Sequence, residues 1–280
     1  MTNAVEIREE LLRRGFEDVT ISEVTKNSVH LTALSIRKDK NQSIAPCIYV
    51  TDEIKGLPDA EIACDLIEKR ISEKESLDIG DPEQLISHDN ILENVMIGAQ
   101  RSSDQVLVKR PSELEGIEQF LFIRGNNHDG STWSIKLTPS LMRHADLDIQ
   151  ETWCAAEANT FTESEINIQS MESMLFDMMG TSAEEACTPD MPLYVVTNKN
   201  KINGAVQIFN RKAIKAWAQE HGFNKLVMLP SSLHEVIVIP ADGYESDLQG
   251  FSDMVREVNL TQVDPVDQLS DNAYIIDLAS

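Results

Sequence analysis

The stretch KLVMLPSSLHEVIVIP, residues 225–240, decides the fold. Leu226 to Leu229 and Val236 to Ile239 are short apolar runs bounded by turn-forming residues, which predicts two buried strands separated by Pro230-Ser-Ser-Leu-His-Glu235. Upstream, Leu193 to Thr197 and Ala205 to Phe209 are also strand-like. The segment between them, Asn198-Lys-Asn-Lys-Ile-Asn-Gly204, ends in an Asn-Gly pair suited to the positive φ of hairpin turns. Ala213, Ile214, Trp217 and Ala218 then predict a helix stopped by Gly222. Downstream, Ser246-Asp-Leu-Gln249 is a capping box before Leu248, Phe251, Val255 and Val258, which share one helical face. A short helical turn at Asp264-Pro265 and a strand from Ala273 to Leu278 complete the last third.

Towards the N-terminus, Val5 to Leu12 reads as an amphipathic helix ended by Gly15. Val19 to Val24, Val29 to Ile36 and Cys47 to Val50 predict a meander, followed by a helix capped by Asp59 with Ile62, Ala63, Leu66, Ile67 and Ile71 on one face. Gln119 to Ile123 and Trp133 to Leu137 flank the polar segment Arg124 to Thr132 and predict a longer hairpin. Asp148-Ile-Gln-Glu151 is a second capping box, leading a helix through Trp153, Cys154 and Ala158. Met171, Met174, Leu175, Met178 and Met179 form a helical stripe read as core filler. The expected class is α+β: antiparallel or mixed sheets of hairpins and meanders packed with about six helices, with a doubly wound α/β fold as the alternative.

Charge suggests an organisation. The 280 residues carry 47 Asp plus Glu against 24 Lys plus Arg, a formal net charge of −23. The excess is local: residues 51–100 have 13 acids against 4 bases, residues 151–200 have 9 against 1, and no Lys or Arg occurs from His144 to Asn198. The expected division is an N-terminal α+β lobe at 1–150, an acidic helical connection at 151–190, and a C-terminal ββαββαβ lobe at 191–280. Phosphate binding needs clustered cations, so direct nucleic-acid binding is not expected. No apolar run approaches the roughly 18 residues of a membrane span, and the charged opening lacks the apolar region of a secretory signal. A cytoplasmic protein without membrane contact is expected.

The strings LYVVTNKNKINGAVQIF, KLVMLPSSLHEVIVIPAD and MVREVNLTQVDPVDQLSDNAYIID resemble the signature blocks of an uncharacterised bacterial family, a domain of unknown function. NILENVMIGAQ and DLDIQETWCAAEANT resemble its weaker middle blocks, so the resemblance covers about residues 90–278 and is strongest over 193–278. Members are familiar from gut anaerobes and their mobile elements. The resemblance implies a compact mixed α/β protein of bacterial origin and no particular reaction.

Two polar constellations are candidates for chemistry. Ser231, Ser232, His234 and Glu235 lie between two strands, where a serine with a histidine base would make a hydrolase if a ring nitrogen reached a hydroxyl. No GxSxG elbow is present, and the same residues also fit a loop that satisfies backbone amides. Arg256 and Glu257, with Asn259 beyond them, form the second. Arg256 opposite Glu235 would clamp a carboxylate or phosphate, or pin a helix to the sheet. Asn198, at the start of the Asn-rich turn, joins these as a binding candidate.

The cysteines Cys47, Cys64, Cys154 and Cys187 make no CxxC pair and the six histidines are scattered, so no metal site is indicated. Neither GxxxxGK[ST] nor GxGxxG occurs, and no cofactor is expected. The leading expectation is a non-enzymatic binding or accessory protein. The alternatives are a hydrolase using Ser231 or Ser232 with His234, and an acidic nucleic-acid mimic that captures a basic protein.

Overall fold

The computed structural model describes residues 2–27, 29–40, 45–74, 82–126, 132–174, 192–241 and 247–278. Ser246 of the Ser246–Gln249 capping box, the methionine stripe beyond Met174, and Cys187 lie outside the described residues. The chain forms two compact units. Met1–Gly80 make up one, and Asp81–Asn126 with Gly130–Ser280 make up the other.

In the smaller unit, α1 (Ala4–Arg13) is followed by the strands β1 (Asp18–Lys26), β2 (Val29–Arg37) and β3 (Cys47–Tyr49), then by α2 (Asp52–Lys55) and α3 (Ala60–Lys74). Asn3 starts α1: its side chain accepts the Val5 and Glu6 amides, and Glu6 reaches back to the Asn3 amide. This satisfies amides that the first turn leaves without helical partners. Gly15, at φ +97°, lets the chain leave the helix through a backbone conformation that costs other residues strain. The strands are an antiparallel meander, with β1 and β2 paired from Asp18 opposite Arg37 to Lys26 opposite Val29. Ile7 and Leu11 from α1, Leu34 and Ile36 from β2, and Ile67 from α3 are all at most 1% exposed and form one core. Arg14 joins the helices from outside that core, donating to Asp65 at 2.7 Å and to the Glu61 carbonyl at 2.9 Å.

The larger unit holds two antiparallel sheets. In the first, β6 (Ile117–Asn126) pairs with β4 (Val95–Arg101), with β5 (Lys109–Pro111) and with β7 (Thr132–Lys136). The second has the order β12-β10-β11-β9-β8, built from β8 (Ile166–Ser170), β9 (Tyr194–Asn198), β10 (Lys225–Leu229), β11 (Val236–Pro240) and β12 (Tyr274–Asp277). The helices are α4 (Pro82–Leu85), α5 (His88–Asn94), α6 (Pro139–His144), α7 (Ile149–Thr160), α8 (Arg211–Glu220) and α9 (Leu248–Thr261). Ile97 and Leu121 from the first sheet, Val196 and Met228 from the second, and Ala156 and Ile214 from α7 and α8 belong to a single core. Each fully buried Leu or Ile of this kind stabilises the fold by about 1.5–3 kcal/mol relative to exposure.

The fold is α+β. Every strand pair among the described residues is antiparallel, which sets aside the doubly wound alternative. The packing also groups the chain differently from the lobes drawn from charge. Residues 91 to 156 and 196 to 278 share one core, and β8 pairs with β9 in one sheet. Charge patterning records what faces solvent, whereas a domain is bounded where apolar contacts cease.

One expected strand is a helix. Gly204–Phe209 forms a 3-10 helix, entered through Asn203 at φ +53°. Its residues from Gly204 to Ile208 are all buried, so no alternation distinguishes strand from helix in this run. Gly204 is required by close approach, because a Cβ there would stand 2.3 Å from Thr197 Oγ1 and 2.4 Å from the Asn198 nitrogen.

Candidate functional site

The connection between β10 and β11 is held by backbone bonds on both sides. Leu233 N–H donates to the Asp267 carbonyl at 2.7 Å, Ser270 N–H to the Pro230 carbonyl at 3.0 Å, and Ala205 N–H to the Leu233 carbonyl at 3.1 Å. The Ser232 hydroxyl accepts the His234 backbone N–H at 3.0 Å, a local bond that fixes the turn. On the ring, Nδ1 accepts the Asn203 N–H at 3.2 Å, and Nε2 lies 3.7 Å from Asp267 Oδ2. Because Nδ1 is an acceptor, the neutral ring carries its proton on Nε2.

This arrangement departs from the serine–histidine reading. A general base must present a nitrogen to the hydroxyl, and both ring nitrogens of His234 address other groups. Ser231 contributes its carbonyl to Leu269 N–H at 3.3 Å. The Glu235–Arg256 clamp is likewise not made. Arg256 forms an ion pair with Asp253 one turn earlier on its own helix, the local partner that α-helical spacing supplies. Glu257 is exposed, and its carbonyl accepts the Thr261 hydroxyl at 2.9 Å.

Asn259 is buried and structural. Its Nδ2 donates to the Ser270 carbonyl at 2.8 Å and to Asp271 Oδ1 at 2.7 Å, while its backbone carbonyl accepts Gln268 Nε2 at 2.9 Å. Arg101, at the end of β4, donates to the same Asp271 oxygen at 2.7 Å. Burial raises the Asp271 pKa, but the Asn259 and Arg101 hydrogen bonds outweigh it and hold the carboxyl below its ordinary value. This network therefore ties α9, β4 and the segment before β12 together.

The turn after β9 does lead to a site. Asn198 closes that turn by exchanging two bonds with Ile202, donating to its carbonyl at 2.7 Å and accepting its N–H at 3.2 Å. Beside it opens a pocket of ≈ 200 Å³, lined by Met96, Ile97, Phe122, Arg124, Trp133, Ser134, Thr160, Asn198, Asn200, Ile202, Asn203, Val206 and Gln207. Thr160, at the end of α7, braces it. Its hydroxyl accepts the Ile97 N–H at 2.8 Å, and its carbonyl accepts Gln207 Nε2 at 2.8 Å. Arg124 is held by Glu165 through two 3.0 Å bonds, a fork-to-carboxylate pair that cancels its charge. Asn200, Asn203 and Ser134 make no side-chain hydrogen bond among the described residues.

Of the residues singled out from sequence, Asn198 lines this pocket, and His234 positions its neighbour Asn203. Phe122, Arg124, Trp133, Thr160 and Gln207 were not anticipated. One signal was present: Gly125 lies opposite Trp133 in the β6–β7 register, and a Cβ at Gly125 would stand 2.0 Å from the indole. A glycine facing a tryptophan across a hairpin marks a ring laid on backbone. Among the described residues, no group of three or more His, Cys, Asp or Glu could hold a metal ion. No described helix is long and apolar enough to cross a membrane.

Fold and pocket together define an antiparallel α+β protein with a small site walled by apolar and aromatic side chains, neutral hydrogen-bonding ones and the ion-paired Arg124. The chain belongs to a family of unknown function (DUF5688), whose sequence model matches residues 4–277. No curated protein and no solved structure matches the chain.

Proposed function

We propose that this chain is a non-enzymatic binding or accessory protein whose ligand occupies the pocket beside the β9 turn. The observation that carries this reading is the pocket's composition: Phe122, Trp133 and Met96 offer apolar surface, while Asn200, Asn203 and Ser134 offer hydrogen-bonding groups with no other partner among the described residues. Concave sites with apolar walls and a few convergent polar groups are the usual form of small-molecule sites. The resemblance of residues 193–209 and 225–242 to bacterial family blocks supports a bacterial origin. A ligand-observed NMR screen of fragments against wild type and Asn200→Ala tests the reading. Hits whose signals depend on Asn200 are expected, and a screen in which no fragment distinguishes the two proteins would overturn it.

A second reading, capture of a basic protein partner, rests on the formal net charge of −23 and the base-free stretch from His144 to Asn198. Its test is a pull-down from native lysate at low and high salt. A stoichiometric basic partner released by salt supports it, and its absence at low salt counts against it.

A further inference from the structure

Resting on the pocket reading above, we infer that the ligand is an uncharged planar heteroaromatic ring of the nucleobase or nucleoside class. Three observations converge on that chemistry. The first is size. At ≈ 200 Å³ the pocket lies below the roughly 300–1,000 Å³ of drug-sized ligand sites, so it fits a single ring system with a small substituent.

The second is electrostatics. Among the described residues Arg124 is the only Lys or Arg in the lining, and both guanidinium branches already bind Glu165. A phosphate or carboxylate entering here would be desolvated without a free counter-charge, inside a protein of net charge −23. A cation finds no lining carboxylate among the described residues either.

The third is the pairing of surfaces. Phe122 and Trp133 offer aromatic rings and Met96 a polarisable sulfur, all of which favour contact with a π system. Asn200 and Asn203 line the pocket, and a carboxamide carries a donor and an acceptor side by side. A base edge presents the complementary pair, which is why Asn and Gln read adenine through two bonds at once. An aliphatic ligand would leave these amides unpaired, and a simple arene would too.

Isothermal titration of the full chain with adenine, adenosine, uracil, uridine and adenosine monophosphate tests the inference. At least one neutral base or nucleoside should bind, and the monophosphate should bind about tenfold more weakly than adenosine, a difference of one decade in Kd. Asn200→Ala, which removes an exposed side chain with no hydrogen bond to lose, should weaken that binding about fivefold or more while leaving the melting temperature unchanged. The fragment screen separates the two readings. If aliphatic amides, carboxylates or phosphate occupy the pocket in an Asn200-dependent way and no base binds, the ring assignment fails and the binding-site reading survives. If nothing binds in either experiment, both fail. Monophosphate binding as tight as adenosine would overturn the claim that the site is neutral.

Discussion

The Nδ1 atom of His234 accepts a hydrogen bond from the backbone N–H of Asn203 at 3.2 Å, tying the β10–β11 connection to the turn that lines the pocket. Asn203 sits at φ +53°, a left-handed conformation that asparagine adopts more readily than most non-glycine residues and that its neighbours restrain. The imidazole is one such restraint, and the bond from Thr197 Oγ1 to the His234 carbonyl at 2.8 Å is another.

His234→Ala should therefore loosen the pocket rim from a distance. Losing the acceptor for a part-buried N–H costs about 1–2 kcal/mol, so chemical denaturation should show a lower midpoint with an unchanged m-value. Affinity for any pocket ligand should fall with it. Serine-directed probes should label wild type and variant alike, since neither ring nitrogen serves a hydroxyl.

Gly204→Ala tests the close approach behind the rim. Its Cβ would meet Thr197 Oγ1 at 2.3 Å, the Asn198 nitrogen at 2.4 Å and the His234 carbonyl at 2.6 Å, and two of these are backbone atoms. Overpacking of this kind costs about 1–3 kcal/mol. A thermal melt should show the loss, and a variant as stable as wild type would place the turn differently from the arrangement described.

Stability should fall on the acid side through identifiable carboxylates. The Asp271 and Glu118 carboxyls are both held below their ordinary values of 3.8 and 4.5, although burial raises them. Hydrogen bonds from Asn259 and Arg101 hold Asp271, and those from Gln100, Lys109 and Ser103 hold Glu118. Glu10 is held at about 2 by hydrogen bonds from Arg13 and Arg14. A depressed folded pKa contributes stability that is complete above the unfolded value and lost as pH falls through the folded one. Melting temperatures should thus hold down to about pH 4.5 and then decline towards about pH 2. Asp271→Asn should be less stable than wild type at pH 7, and the gap should close at the acid end.

The thiols should react unequally. Cys64 is fully buried, its thiol pushed up to about 11 by burial, with Sγ 3.6 Å from the Ile7 carbonyl. Cys47 and Cys154 are exposed. Brief alkylation at pH 7.5 followed by peptide mass spectrometry should find Cys47 and Cys154 modified before Cys64, because only the thiolate attacks. Equal rates would mean that α3 opens readily from the smaller unit's core.

Much of the local structure is legible from one chain of letters. The β1–β2 hairpin, the β10 and β11 strands, and the N-cap Asp148, whose side chain accepts the Gln150 and Glu151 amides, follow from short-range chemistry that a few adjacent residues complete among themselves. Runs buried on every side are less legible. Val95 to Gln100 and Gly204 to Ile208 are buried throughout, so neither shows the alternation that separates strand from helix, and β4 and the 3-10 helix emerge only from their neighbours.

The candidate site divides in the same way. The sequence by itself indicated an α+β class with antiparallel or mixed sheets, the Asn-rich turn from Asn198 and the polar loop around His234, because turn chemistry and apolar runs act over a few residues; the strand pairing alone made the sheets antiparallel. Tertiary structure alone decided that the His234 ring faces Asn203 and Asp267 rather than a serine, that Arg256 pairs with Asp253, and that Glu165 neutralises Arg124. It also brought Met96, Phe122, Trp133 and Gln207 around one pocket. Those side chains come from three strands and the 3-10 helix, spread between positions 96 and 207, and what each can do depends on which partner reaches it first. Hydrogen bonds and ion pairs act over about 3 Å, so their partners are set by packing, which no local pattern encodes.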